Sequence, residues 1–89
     1  MELRQLEYVN LGYNSFEFKR IPMFLGSLKN LRYLDLSACG FGENILSQFG
    51  SLSHLKYFNL AWNSLEGSIP RQLGNLSRLE YLNLGYNHF

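Results

Sequence analysis

The sequence predicts an α/β solenoid, a right-handed coil of parallel strands, and three features of the chain predict it. First, one leucine pattern recurs at a fixed interval: Leu28, Leu31, Leu34 and Leu36 return as Leu52, Leu55, Phe58 and Leu60, then as Leu76, Leu79, Leu82 and Leu84, 24 residues apart each time. Second, apolar and polar residues alternate inside each copy, as in Leu34-Asp35-Leu36 and Phe58-Asn59-Leu60. A period of two puts one face inward and the other outward, which is a strand. Third, an asparagine follows the strand at one equivalent position, Asn14, Asn63 and Asn87. A strand this short cannot bury its apolar face alone, and stacking copies in parallel turns the leucines into one continuous column.

An earlier copy, Leu3, Leu6, Val9 and Leu11, precedes the second by 25 residues, its extra residue falling within 16–21. The array is one unit over residues 1–89, with repeats 3–27, 28–51 and 52–75 and a partial fourth at 76–89, about 3.5 repeats in all and without caps. In each turn the asparagine amide can both donate to and accept from backbone groups of adjoining coils. The next apolar residue, Phe16, Phe41, Leu65 or Phe89, is expected to point back into the core. The convex return closes in Met23–Gly26, Ser47–Gly50 and Arg71–Gly74, each read as a short helical or 3₁₀ turn ended by a left-handed glycine. Pro22 and Pro70 lead into two of these turns; Leu46 stands in the second, whose convex side is expected to be less regular.

Composition narrows the function. Eight basic against seven acidic residues give a net charge of +1, without a Lys/Arg cluster, so nothing favours nucleic acid or an anionic membrane. No apolar run reaches the ~18–20 residues of a membrane helix. The N-terminal Met1–Gln5 has no signal-peptide core. Cys39, the one cysteine, cannot form an internal disulfide and stands in the asparagine column, where it reads as a small buried residue. Restoring asparagine there is expected to stabilise the stack. His54 and His88 occupy non-equivalent positions without ligand spacing, and no nucleophile, base and orienting group can be assembled. Neither metal nor cofactor nor catalytic residue is expected; the chain does not read as an enzyme.

Outward-pointing residues form three columns on the concave face. Tyr8, Tyr33, Tyr57 and Tyr81 make the first; identity in every copy suits a stacked ladder that covers the leucines beneath. The second is Asn10, Asp35, Asn59 and Asn83. The third, Tyr13, Ala38, Trp62 and Tyr86, varies as a recognition surface should, beside small residues (Gly12, Ser37, Ala61, Gly85) that leave room for a partner. The candidate ligand contacts are Tyr13, Trp62, Tyr86, Tyr33, Tyr57, Asp35 and Asn59, with Trp62 foremost. Asn75-Leu76-Ser77 is an N-glycosylation acceptor, relevant if the chain is exported. Four strands span only about 14–15 Å, and a standard interface takes about 800 Å² per partner, so a specific ligand would need more of an array.

The third repeat carries a resemblance. Asn63-Ser-Leu65-Glu-Gly67-Ser-Ile69-Pro70-Arg-Gln-Leu73-Gly74-Asn75 follows the plant-specific leucine-rich repeat signature at every fixed position. The chain is similar to the extracellular arrays of plant receptor-like proteins and receptor-like kinases. That resemblance implies a segment of a longer ectodomain on the outer side of the plasma membrane. It also implies a protein or peptide ligand, a possible co-receptor, and a role in defence or development signalling. The first repeat lacks the Leu-x-Gly glycine, the second lacks proline, and Cys39 replaces asparagine. Two alternatives share the pattern: a secreted inhibitor resembling the polygalacturonase-inhibiting proteins, and a non-functional remnant whose open ends promote aggregation.

Overall fold

The computed structural model describes residues 3–89. Four three-residue strands, β1 (Tyr8–Asn10), β2 (Tyr33–Asp35), β4 (Tyr57–Asn59) and β6 (Tyr81–Asn83), form one parallel sheet in the order β1-β2-β4-β6. On the return side β3 (Gly42–Glu43) and β5 (Ser64–Leu65) pair in parallel as a second, two-stranded sheet. The register of the large sheet places Tyr8, Tyr33, Tyr57 and Tyr81 side by side, and behind them Val9, Leu34, Phe58 and Leu82. This is the leucine column expected from the period. Leu34 and Phe58 are fully buried, in a core shared with Leu31, Leu36, Phe41, Phe49, Leu52, Leu55, Leu60 and Leu65. The fold is the right-handed parallel solenoid the repeat predicts.

Each coil returns through a 3₁₀ turn: Met23–Ser27, Ser47–Ser51 and Arg71–Asn75, with a further one at Leu3–Gln5. Two expectations need correction here. Gly26, Gly50 and Gly74 are absent from the residues with positive φ, and each turn runs one residue past its glycine. What fixes glycine is crowding between coils: a Cβ on Gly50 would lie 2.4 Å from the Gln72 carbonyl oxygen, and one on Gly26 2.7 Å from Gln48 Cβ. The second correction concerns Leu46, whose coil is no less regular than its neighbours. Leu46 enters its turn at φ −70°, ψ 126°, beside −61°, 127° for Pro22 and −62°, 131° for Pro70. The extended entry is imposed by stacking of the turns, and proline only makes it cheaper.

The asparagine turn behaves as its chemistry requires. Asn63 Oδ1 accepts from the backbone N–H groups of Cys39 and Phe41 in the preceding coil, both at 3.0 Å. Its Nδ2 donates to Leu36 O at 2.9 Å and Leu60 O at 3.0 Å. One side chain thus satisfies backbone groups of two coils in a buried place where water cannot. Asn87 repeats the arrangement with Leu65 N–H, Leu60 O and Leu84 O. Among the next apolar residues Phe41 and Leu65 are fully buried, but Phe89 remains 43% exposed.

Candidate functional site

The tyrosine column on the concave face is a stacked ladder. Ring centroids lie 4.2, 4.2 and 4.5 Å apart, at interplanar angles of 12°, 4° and 4°. The rings stand closer than the ~4.8 Å strand spacing, so each covers the next. Desolvation pushes the Tyr33 phenol above its ordinary value, helped by hydrogen bonds with the Tyr57 and Tyr8 hydroxyls. Tyr33 and Tyr57 are half-buried in the ladder, whereas Tyr8 and Tyr81 are exposed. The interior pair therefore offers ring edges and hydroxyls, not open faces.

The second column turns its side chains along the chain. Asn10, Asn59 and Asn83 each accept, through Oδ1, the N–H two residues on, at Gly12, Ala61 and Gly85, all at 2.9 Å. Asp35 does the same toward Ser37 N–H and takes the Ser37 hydroxyl at 2.6 Å. These turns end the strands. They also explain the small residues beside them, because a Cβ on Gly12 would meet Asn10, Asp35 and Ser37 oxygens at 3.1 Å. At Gly12 the smallness therefore also serves the turn. Asp35 is only 8% exposed, with one carboxylate oxygen occupied. Asn59 is half-buried and donates to the Tyr57 hydroxyl at 3.4 Å, tying this column to the ladder.

The third column lies just past the strands, in the turn, and it differs in kind. Tyr13, Ala38, Trp62 and Tyr86 have φ of 59°, 52°, 62° and 58°, the left-handed region that glycine or asparagine occupies most cheaply. The conformation is forced from both sides. Each N–H of Tyr13, Ala38 and Trp62 bonds the next coil's carbonyl (Ser37, Ala61 and Gly85, at 2.9–3.0 Å). After Tyr13, Trp62 and Tyr86 the following asparagine clasps the carbonyl before them, as Asn87 does Gly85 O at 3.1 Å, and after Ala38 the Cys39 thiol reaches Ser37 O at 3.4 Å. The aromatic side chains are thrown outward: Tyr13 is 81% exposed, Trp62 56% and Tyr86 69%. Trp62 and Tyr86 stack at 3.8 Å and 5°. Nothing in the sequence periodicity marks a left-handed position, because the period fixes which residues are equivalent and not the backbone they adopt.

Cys39, in the asparagine column, is buried, and its S–H donates to Leu11 O at 3.0 Å. Burial pushes the thiol above its ordinary pKa, which the backbone N–H of Asn14 beside the sulfur partly offsets. Asn75, the glycosylation acceptor, is exposed and ends the Arg71–Asn75 turn. Among the described residues no group of three His, Cys, Asp or Glu side chains could hold a metal ion. No helix there is long and apolar enough to cross a membrane.

A ladder of parallel coils with an asparagine clasp and an outward aromatic rim defines a leucine-rich repeat solenoid. Family profiles described as leucine-rich repeats match residues 46–89 and 30–52, about two thirds of the chain between them. The chain belongs to that family, and its repeats are of the plant type. Receptor-like proteins EIX2 and EIX1 of Solanum lycopersicum are 47% and 51% identical to it over 49 residues, 55% of this chain but 5% of each relative. Among solved structures, the BIR3–SERK2 complex from Arabidopsis thaliana matches 91% of this chain and 43% of its own (TM-score 0.82, 36% identity). A plant ice-binding protein matches 92% and 26% (0.86, 32%). PEPR1–AtPEP1 matches 92% and 11% (0.81, 39%). The chain thus spans about a twentieth of the curated relatives' length.

Proposed function

We propose that this chain is a recognition segment of a plant cell-surface receptor-like ectodomain. It takes a protein or peptide ligand through the concave face, with Tyr13, Trp62 and Tyr86 as principal contacts and Tyr33, Tyr57 and Asn59 beside them. Asp35 acts from below, by holding the turn that carries Ala38. The observation that carries the reading is the aromatic rim. A non-glycine residue in the left-handed region costs about 1–3 kcal/mol, and an exposed tryptophan gives up its burial as well. The left-handed backbone belongs to the turn of every coil, Ala38 included. What the turn holds outward, an exposed aromatic rim, is explained by contact with a partner, which aromatic residues serve with large rigid area and a polar handle. Peptide and co-receptor complexes among the structural neighbours support the same partner class. The parent protein lies on the outer side of the plasma membrane in this reading, with defence or development signalling as its output and Asn75 open to glycosylation.

The test is site-directed photo-cross-linking. A photoreactive phenylalanine analogue replaces Trp62 on the rim, or Gln72 on the convex turn, within a receptor-like array expressed in plant cells. The proposal expects a defined adduct from position 62 that is absent from position 72. Equal adducts from both positions, or none from 62 under ligand-induced signalling, contradict it.

A further inference from the structure

The first coil carries an apolar surface on its return side that the other coils lack. Phe18, Met23 and Phe24 are all half exposed or more. Ser47 and Gln48 stand at the places of Met23 and Phe24 in the second coil, and Arg71 and Gln72 in the third. Ser47 and Gln48 stay exposed although a coil is stacked on either side of them. These places therefore lie outside the contact between coils, and a coil stacked before the first would leave Met23 and Phe24 open as well. The extra residue of the first repeat falls in the segment leading here, and the two-stranded sheet of β3 and β5 does not extend into it. An apolar cleft of 380 Å³ lies there, lined by Phe18, Ile21, Met23 and Phe24. It opens past Arg20 into a smaller one of 210 Å³ that reaches Glu43 of the second coil. Arg20 and Glu43 form an ion pair and, among the described residues, are the only charged ones on the walls.

We propose that this surface joins two copies of the chain across a two-fold axis. Contiguous exposed apolar surface marks an interaction site, and Met and Phe are residues that interface cores favour. Charge selects the partner. A surface with one cation and one anion side by side favours neither an acidic nor a basic partner, but it complements itself. Related by a two-fold axis, each Arg20 faces the Glu43 of the other copy, and the two ion pairs close into a ring of four alternating charges. Met23 and Phe24 of each copy then enter the apolar cleft of the other, and apolar surface leaves water on both sides. Three half-exposed side chains fall short of the ~800 Å² per partner of a standard interface, so the dimer is weak and concentration-dependent. It forms on the return side, away from the concave rim, and stands whether or not the rim takes a ligand.

Sedimentation equilibrium of the 89-residue chain, from about 10 µM to about 1 mM, reads the association directly. A monomer–dimer equilibrium without larger species is expected. Met23→Ser combined with Phe24→Gln installs the residues of the second coil. That exchange is expected to weaken the dimer by about tenfold or more while the urea unfolding midpoint stays in place. Arg20→Glu leaves two anions on each copy and Glu43→Arg two cations, so neither variant is expected to dimerise alone. An equimolar mixture of the two is expected to restore the dimer, because each copy then meets its opposite charge. A chain that stays monomeric throughout overturns the proposal, as does a dimer indifferent to the Met23→Ser and Phe24→Gln exchange. No recovery in the mixture, with both variants folded, removes the two-fold axis and overturns it too. Larger species that persist in the exchanged chain place association at the open coil ends, against the proposal.

Discussion

Asn63 and Cys39 occupy the same place in adjacent coils, and the contrast between them shows what the repeat demands. Asn63 accepts two backbone N–H groups of the coil before it and donates to carbonyls of both coils. Cys39 keeps the donor half, S–H to Leu11 O, and has no carbonyl oxygen to accept with. The third coil is therefore clasped to the second on both counts, while the second is clasped to the first only in part. The Asn14 side chain, heading the column, donates to carbonyls of its own turn, Leu11 O and Gly12 O. Repetition fixes the leucine core in every coil; the polar clasp is what varies.

The comparison is sharpened first by setting it beside the core both coils share. Phe58→Ala removes a fully buried ring and is expected to cost about 3–5 kcal/mol. In a chain this small that abolishes cooperative unfolding by circular dichroism; a folded variant with an unchanged midpoint would break the stacked-core account. Next in size is Asn63→Ala, which strands buried N–H and C=O groups in two coils at roughly 3 kcal/mol. Its urea midpoint should drop far more than that of Asn14→Ala, whose bonds are exposed. Equal losses would mean the clasp between coils contributes nothing.

Third, Gly50→Ala forces a Cβ against the Gln72 carbonyl and is expected to cost about 1–3 kcal/mol. Gly74→Ala meets nothing within 4 Å and should leave the midpoint unchanged. Smallest is Cys39→Asn, which supplies the absent acceptor and is expected to stabilise by about 1 kcal/mol. That gap should widen in alkali. The thiol's folded pKa is raised, so above the unfolded value of about 8.5 the unfolded chain has lost a proton the folded chain still holds, and wild-type stability falls as pH rises. The asparagine variant has no such loss, and parallel pH profiles for the two would contradict the buried-thiol assignment.

Much of this was legible in the residues. The 24-residue period placed Leu34, Phe58 and Leu82 in one column, and the structure pairs them in that register. Tyrosine identity at one position foretold the ladder. Three things were not legible, each because it depends on neighbouring backbone. Asp35 and Asn59 alternate outward, yet their side chains bend to cap turns, since a short polar group beside a free N–H finds it before it finds solvent. The turn glycines were read as left-handed when their constraint is the approach of the next coil. Conversely, Trp62 is left-handed where no propensity would put it, its N–H bonding Gly85 O of the next coil, because such inter-coil hydrogen bonds outweigh local preference.

Amide hydrogen exchange of the 89-residue chain, resolved residue by residue by NMR, tests most directly that neighbouring coils are clasped through the asparagine column. The Cys39 and Phe41 amides, held by Asn63 Oδ1 from the next coil, should exchange as slowly as the sheet amides Leu36 and Leu60, and all four should quicken together in Asn63→Ala. Fast exchange at Cys39 and Phe41 beside protected Leu36 and Leu60 would contradict the clasp.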